Sequence, residues 1–182
     1  DIAAMQHNLS VVRSTVPRAK IWAVVKANAY GHGLERSVRA FTDADGFALI
    51  EIESAIHLRE IGWKKPILLL EGFFYPHELP ILPSEYGKAL ERLKKIPYVR
   101  DISYMTHFAN SEAEDHPALS VAEQLRRFDS ATQGLKGDRN LSNSGAILLH
   151  PGIRTDWVRP GIMLYGGTPG GKTAEQYGLK PA

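Results

Sequence analysis

Short apolar runs with no polar interruption constrain this chain most: Ile21-Trp22-Ala23-Val24-Val25, Gly46-Phe47-Ala48-Leu49-Ile50 and Pro66-Ile67-Leu68-Leu69-Leu70. Strand-length segments that are apolar throughout, rather than at every second residue, are buried on both faces, which calls for a parallel sheet covered by helices. The intervening stretches supply the covers. Residues 34–41 and 52–61 have helical apolar spacing, the second closed by Gly62, and a helix over 2–12 precedes the first strand. The unit is βαβαβ, and the stretch from Lys26 to Gly33 is a glycine-bearing loop that ends its first strand.

Further along, the pattern thins. Residues 73–87 carry Pro76, Pro80 and Pro83 and no clear strand. A helix is expected from 84 or 88 to 95 and a strand over 99–108. Residues 120–132 read as a helix with Leu119, Val121, Ala122, Leu125 and Phe128 on its apolar stripe and Glu123, Gln124, Arg126 and Arg127 facing away. Residues 146–149 read as strand or buried helix, 158–165 as the last strand, and everything beyond Gly166 as Gly/Pro-rich loop. About six strands with helix partners fall short of the eight strands, and about 250 residues, of a closed (β/α)8 barrel.

Composition narrows the function. With 43% hydrophobic and 23% charged residues among 182, the chain is globular rather than disordered or fibrous. No apolar run approaches the roughly 18–20 residues that span a bilayer, so no membrane role is expected. There is no Cys, hence no disulfide framework and no thiolate nucleophile or ligand, and the seven His show neither an i, i+4 pair nor HExxH, so no metal site is expected. A net charge of +2, with Lys64-Lys65 and Lys94-Lys95 read as solvated helix ends, does not call for nucleic acid. Residues 1–5 show no secretory signal pattern, which makes the cytoplasm the expected compartment and the sequons at Asn8 and Asn140 chance matches.

Lys26 is the first candidate for chemistry. By period two it points to the same side as Val24 and Trp22, and a lysine held at the C-terminal end of a barrel strand is partly desolvated and becomes a usable amine nucleophile. From position alone the simpler reading is a solvated lysine capping a strand. Tyr30, four residues on, offers a phenol near the same mouth, and Gly31 and Gly33 free the backbone to approach a ligand. A second motif competes: Gly166-Gly167-Thr168-Pro169-Gly170-Gly171-Lys172-Thr173 fits the P-loop pattern. The P-loop mechanism needs a helix facing the phosphates, and 174–182 offers nine residues interrupted by Gly178 and Pro181, so the segment is read as loop.

The stretch Ala23-Val24-Val25-Lys26-Ala27-Asn28-Ala29-Tyr30-Gly31-His32-Gly33 resembles the pyridoxal-phosphate attachment motif of the alanine racemases. The resemblance continues through 67–74, Thr106-His107-Phe108-Ala109, 143–148 and 156–166, and so covers nearly the whole chain. It implies α/β architecture, a (β/α)8 TIM-type barrel that is incomplete here, spanning 1–182 with an omission near 81–87. It implies pyridoxal 5′-phosphate (PLP) as cofactor, alanine as substrate, a homodimer in the complete protein, and supply of D-alanine for peptidoglycan. Lys26 is then the internal-aldimine lysine and Tyr30 a donor to the phosphate, which Ser144, Gly161 and Ile162 also hold; Leu70 and Asn143 are further cofactor contacts.

In the same pattern Arg159 meets the pyridine nitrogen and His107 sits beside the ring. Alone, these two read more simply as a surface ion pair and a satisfied core imidazole; the motif context reverses both. A guanidinium with a pKa above 12 keeps its proton, so the ring nitrogen stays unprotonated, the ring is a poorer electron sink, and racemisation is favoured over transamination. Three parts of the family pattern are not found: an N-terminal strand, two strands with a lysine- and arginine-bearing segment near 81–87, and the β-rich C-terminal domain that supplies a tyrosine from the neighbouring subunit. Their absence leaves open a non-catalytic PLP-binding carrier barrel as the alternative.

Overall fold

The computed structural model describes residues 1–70, 86–97, 99–112 and 120–182. Among these, six strands form one parallel sheet in the order β3-β2-β1-β6-β5-β4: β1 (Lys20–Val24), β2 (Gly46–Leu49), β3 (Ile67–Leu69), β4 (Tyr104–Met105), β5 (Arg139–Asn143) and β6 (Trp157–Arg159). The helical elements are α1 (Ile2–Thr15), a one-turn element α2 (Lys26–Tyr30), α3 (Leu34–Ala40), α4 (Ile52–Glu60), α5 (Tyr86–Lys94), α6 (Val121–Ala131) and α7 (Ser144–Leu149). First and last strands are neighbours, with Lys20 opposite Trp157 and Ile21 opposite Val158. The six parallel strands form a curled half-barrel in which the first and last strands of the chain meet at the centre, with β3 and β4 as its edges among the described residues. Among those residues no helix is long and apolar enough to cross a membrane.

Alternation along the strands separates an outer from a concave face. Ile21, Ala23 and Val25, with Phe47, Leu49 and Val158, join the core formed with Met5, Leu9 and Val12 of α1 and with Leu34 and Phe41. Leu141 belongs to a second cluster with Tyr104, Phe108, Val121 and Phe128. The intervening residues Trp22, Val24, Ala48, Leu68, Asn140 and Arg159 therefore face inward. At the N-terminal end of the concave face Trp22 and Trp157 stack with centroids 4.2 Å apart, and Gly46 opposite Trp22 leaves the ring its space, since a Cβ there would lie 2.2 Å from the indole.

Several expectations change in the structure. The strand expected over 99–108 is paired only at Tyr104–Met105, against β5, its one neighbour among the described residues. The strand at Arg139–Asn143 was not foreseen: it is polar, and its apolar signal is confined to Leu141. Residues 146–149 belong to helix α7, capped by the Asn143 side chain, which accepts from Ala146 N. The expected final strand ends at Arg159, since Pro160 cannot donate to a ladder, and Ile162–Tyr165 is a 3₁₀ turn. On α6 Ala122 is exposed rather than in the stripe, and Gln124 turns inward to bond both Ala109 N and Ala109 O at 2.9 Å. Leu119 and the omission read near 81–87 fall largely or wholly outside the described residues.

The loop after β1 is wound left-handed. Ala27, Asn28, Ala29 and Tyr30 all have φ between 50° and 56°, and Gly31 continues at 84°. A left-handed turn costs an L-residue roughly 1–2 kcal/mol each, so its surroundings must hold it. Ala29 N bonds Val25 O, Gly33 N bonds Asn28 O, the Asn28 side chain accepts from Leu34 N at 2.9 Å, and Ala29 is fully buried. Ala27 is exposed, so its methyl contributes strain and little packing. Replacing Ala27 by Gly should stabilise the protein by about 1 kcal/mol, raising Tm by about 2–4 °C, and Ala27→Val should lower it. Thermal unfolding of the two variants beside the parent checks both signs.

Candidate functional site

The C-terminal ends of all six strands converge on a cavity of about 500 Å³. Its walls hold every candidate read from the sequence: Lys26, Tyr30, Leu70, His107, Asn143, Ser144, Arg159, Gly161 and Ile162. Lys26 follows β1 on the concave side beside Val24, as the alternation requires. Leu70 follows β3, His107 follows β4, Asn143 ends β5, and Arg159 ends β6. Val24, Ile50, Met105, Glu112, Gly145 and Pro169 complete the lining, none of them a candidate from the sequence. Ile50 sits at the inward register of β2 and was legible in principle; Pro169 belongs to the segment weighed as a P-loop.

That segment is a loop in the structure, followed only by a 3₁₀ turn at Glu175–Tyr177 that Gly178 closes. No helix faces it, as the P-loop mechanism would need. The sequon asparagines are both buried: Asn8 bonds Leu164 O, Lys180 O and Lys180 N, and Asn140 bonds Arg159.

One side of the cavity gathers donors. Ser144 Oγ accepts from Gly161 N at 3.0 Å and from Met163 N at 3.4 Å, so two backbone N–H groups already point to one oxygen. Tyr30 closes over them: a Cβ at Gly161 would lie 2.5 Å from the Tyr30 hydroxyl oxygen. The Tyr30 ring rests on Tyr165 with centroids 5.1 Å apart, and the Tyr165 hydroxyl donates to Val24 O at 3.1 Å. Burial raises the pKa of both phenols, so both keep their protons at neutral pH and remain donors.

The cavity also holds two cationic side chains, Lys26 and Arg159, and one carboxylate, Glu112. Arg159 is 4% exposed and is gripped by neutral oxygens, Nη1 on Asn140 O at 2.7 Å and Nη2 on Thr106 O at 2.6 Å. It is thus neither at the surface nor in an ion pair. Burial lowers its pKa to about 10, which leaves it charged at neutral pH. His107 faces the same space, with Nε2 3.4 Å from Asn143 Nδ2. Burial first, then the charges of Arg159 and Lys26, push its pKa below the ordinary histidine value, so the imidazole is neutral at pH 7. Asn143 fixes the arrangement: Nδ2 donates to Phe108 O at 3.0 Å while Oδ1 accepts from Ser111 Oγ and Ala146 N, both at 3.0 Å. Two cations, a neutral imidazole and converging N–H and O–H donors suit an anionic ligand with a ring or carbonyl acceptor.

The family model described as "Alanine racemase, N-terminal domain" matches residues 1–83 and 81–169. The alanine racemase of Janthinobacterium sp. (strain Marseille) is 46% identical over 225 positions, covering all of this chain and 63% of that protein. That of Nitrosospira multiformis is 42% identical, again over the whole chain and 63% of the relative. Among solved structures, the biosynthetic alanine racemase of Pseudomonas aeruginosa superposes with a TM-score of 0.91 at 33% identity, over 100% of this chain and 63% of that one. The chain therefore spans about 63% of the length of these relatives. Because burial first, and then the charges of Arg159 and Lys26, disfavour the protonated imidazole, an NMR titration should place the His107 midpoint below about 6.5, and either Arg159→Gln or Lys26→Gln should move it upward by removing one of the charges.

Proposed function

The chain belongs to the alanine racemase N-terminal-domain family, and we propose that it forms the cofactor-holding barrel of an enzyme that interconverts L- and D-alanine. The observation that carries this reading is the convergence of all nine motif residues on one cavity at the C-terminal strand ends, where barrels of this type do their chemistry. The proposed cofactor is pyridoxal 5′-phosphate. The residues fit it: the cavity volume is within the range of small-ligand sites, convergent donors are offered for a phosphate, and a buried guanidinium whose partners among the described residues are all neutral is offered for a ring acceptor.

When bound, pyridoxal phosphate supplies an electron-withdrawing system that acidifies the α-carbon of an attached amino acid. In the reading proposed here Lys26 would hold the cofactor through Nζ, and the same amine would move the α-proton on the face it approaches. Tyr30, Ser144 and the backbone N–H groups of Gly161 and Ile162 hold the phosphate; Leu70 and Asn143 bound the ring. Arg159 keeps the ring nitrogen unprotonated, and neutral His107 orients the ring without adding a charge. Racemisation needs a second acid on the opposite face. Tyr30 and His107 already have roles, so this group comes from a β-rich domain of the neighbouring subunit in a homodimer.

The domain reading follows the same lines. The chain is a barrel domain with an internal omission near 81–87, supported by the division of the family match at 81–83 and by a matched span of 225 positions against 182 residues. The physiological role is D-alanine supply for peptidoglycan in the cytoplasm.

In the complete protein loaded with pyridoxal phosphate, a visible absorbance band should disappear on borohydride reduction and peptide mapping should place the label on Lys26. A label on another lysine overturns the assignment. Racemisation of L- and D-alanine by the same preparation supports the enzyme; a labelled but inactive complete protein supports the carrier alternative. Gly161→Ala should weaken cofactor binding about tenfold or more, because its Cβ would displace the Tyr30 hydroxyl from the phosphate side of the cavity. Equilibrium titration with pyridoxal phosphate measures that loss.

A further inference from the structure

Arg159 presents an unusual balance of charge. A buried guanidinium is ordinarily compensated by a carboxylate, because an isolated charge away from water is costly. Here, among the described residues, all of its hydrogen bonds end on neutral oxygens: Asn140 O and Oδ1 from Nη1 at 2.7 and 2.5 Å, Thr106 O and Leu141 O from Nη2 at 2.6 and 3.3 Å. Three of the four acceptors are backbone carbonyls, which substitution cannot alter. The fourth is the Asn140 side chain, 5% exposed and at an inward register of β5. An aspartate has the same shape and would place a carboxylate oxygen where the amide oxygen now stands, turning the contact into a buried ion pair.

We propose that Asn140 is a positioning residue that sets the charge of the cavity wall: it grips Arg159 with a neutral amide and so leaves the guanidinium's positive charge uncompensated toward the cavity. This concerns the protein without ligand and holds whatever the cavity takes. Its consequence for a pyridine nitrogen, which would remain unprotonated against a full positive charge, rests on the cofactor reading above.

His107 is the internal reporter of that charge. Thr106 O, one residue before it, accepts from Arg159, and both side chains line the cavity. The other titratable groups facing this space are Lys26 from the end of β1, Tyr30 from α2 and Glu112 from the loop after β4. None of these changes in an Asn140 variant, so a shift at His107 reads the altered wall.

The test is an NMR titration of His107 in the ligand-free protein and in its Asn140→Asp and Asn140→Ser variants. Asn140→Asp should raise the midpoint by about half a pH unit or more, because the new carboxylate cancels the field of Arg159; Asn140→Ser, which stays neutral, should leave it in place. An unchanged midpoint in a folded Asn140→Asp protein overturns the proposal, and so does an equal shift in both variants, which would make the role of the amide purely geometric. Failure of the Asn140→Asp protein to fold overturns it as well, since a carboxylate of the same shape facing the same guanidinium should be tolerated. The readout needs neither cofactor nor turnover, so its outcome is separate from that of the Lys26 labelling.

Discussion

The pairing of β1 with β6 is the contact on which the rest depends. Parallel strands from opposite ends of the chain, Lys20–Val24 and Trp157–Arg159, lie side by side and join β3-β2-β1 to β6-β5-β4, so that one six-stranded sheet lines the trough. Without that pairing the described strands would form two three-stranded sheets, with Lys26 on one and Arg159 on the other. The stacked Trp22 and Trp157 reinforce it from the concave face, with the Lys20 ammonium 5.0 Å over the Trp157 ring. Asn8 of α1 reinforces it from outside, where one buried amide bonds Leu164 O beyond β6 and the backbone of Lys180 near the end of the chain.

The concave face changes character around the trough. On β1, β2 and β3 it is apolar, with Val24, Ala48 and Leu68; on β5 and β6 it is Asn140, Ser142 and Arg159. The buried guanidinium takes its carbonyl oxygens from Asn140 and Leu141, where the pairing of β5 with β6 is irregular between Asn140 and Ser142, and from Thr106 just past β4. The polar residue at 140 and the buried cation thus explain each other: an apolar residue there would make a better strand and a worse seat for the guanidinium.

That dependence also explains what could be read from the sequence. The strands at 21–25, 46–50 and 66–70 announce themselves because both of their faces are apolar, and Lys26 follows from simple alternation. Arg139–Asn143 does not, because its inward positions are polar, Asn140 bonding Arg159 and Ser142 beside it; the nearest apolar run, 146–149, is the helix that follows it. Hydrophobicity alone extends the last strand through Leu164, while Pro160 and Gly161 end the ladder and the chain tightens into a 3₁₀ turn. Each site residue was legible through the motif resemblance rather than through composition. Asn140 carries no such signal and becomes visible only when the partners of Arg159 are seen.

The left-handed turn after β1 has a geometric purpose that a right-handed one would not serve. Lys26 is the last inward residue of its strand, and the chain must turn back so that Tyr30 lies over Gly161 while Lys26 remains in the trough. Four successive non-glycine residues take the disfavoured hand, and the strain is held by packing: Tyr165 lies under both Tyr30 and His32, at 5.1 and 4.8 Å, and is itself anchored to Val24 O. Tyr165 ends the same 3₁₀ turn that follows Gly161, so the segment bearing the backbone donors and the segment bearing the lysine and the phenol rest on one aromatic ring. A displacement of that ring would move Tyr30 and the Gly161 N–H together, which keeps their spacing constant even though they come from opposite ends of the chain.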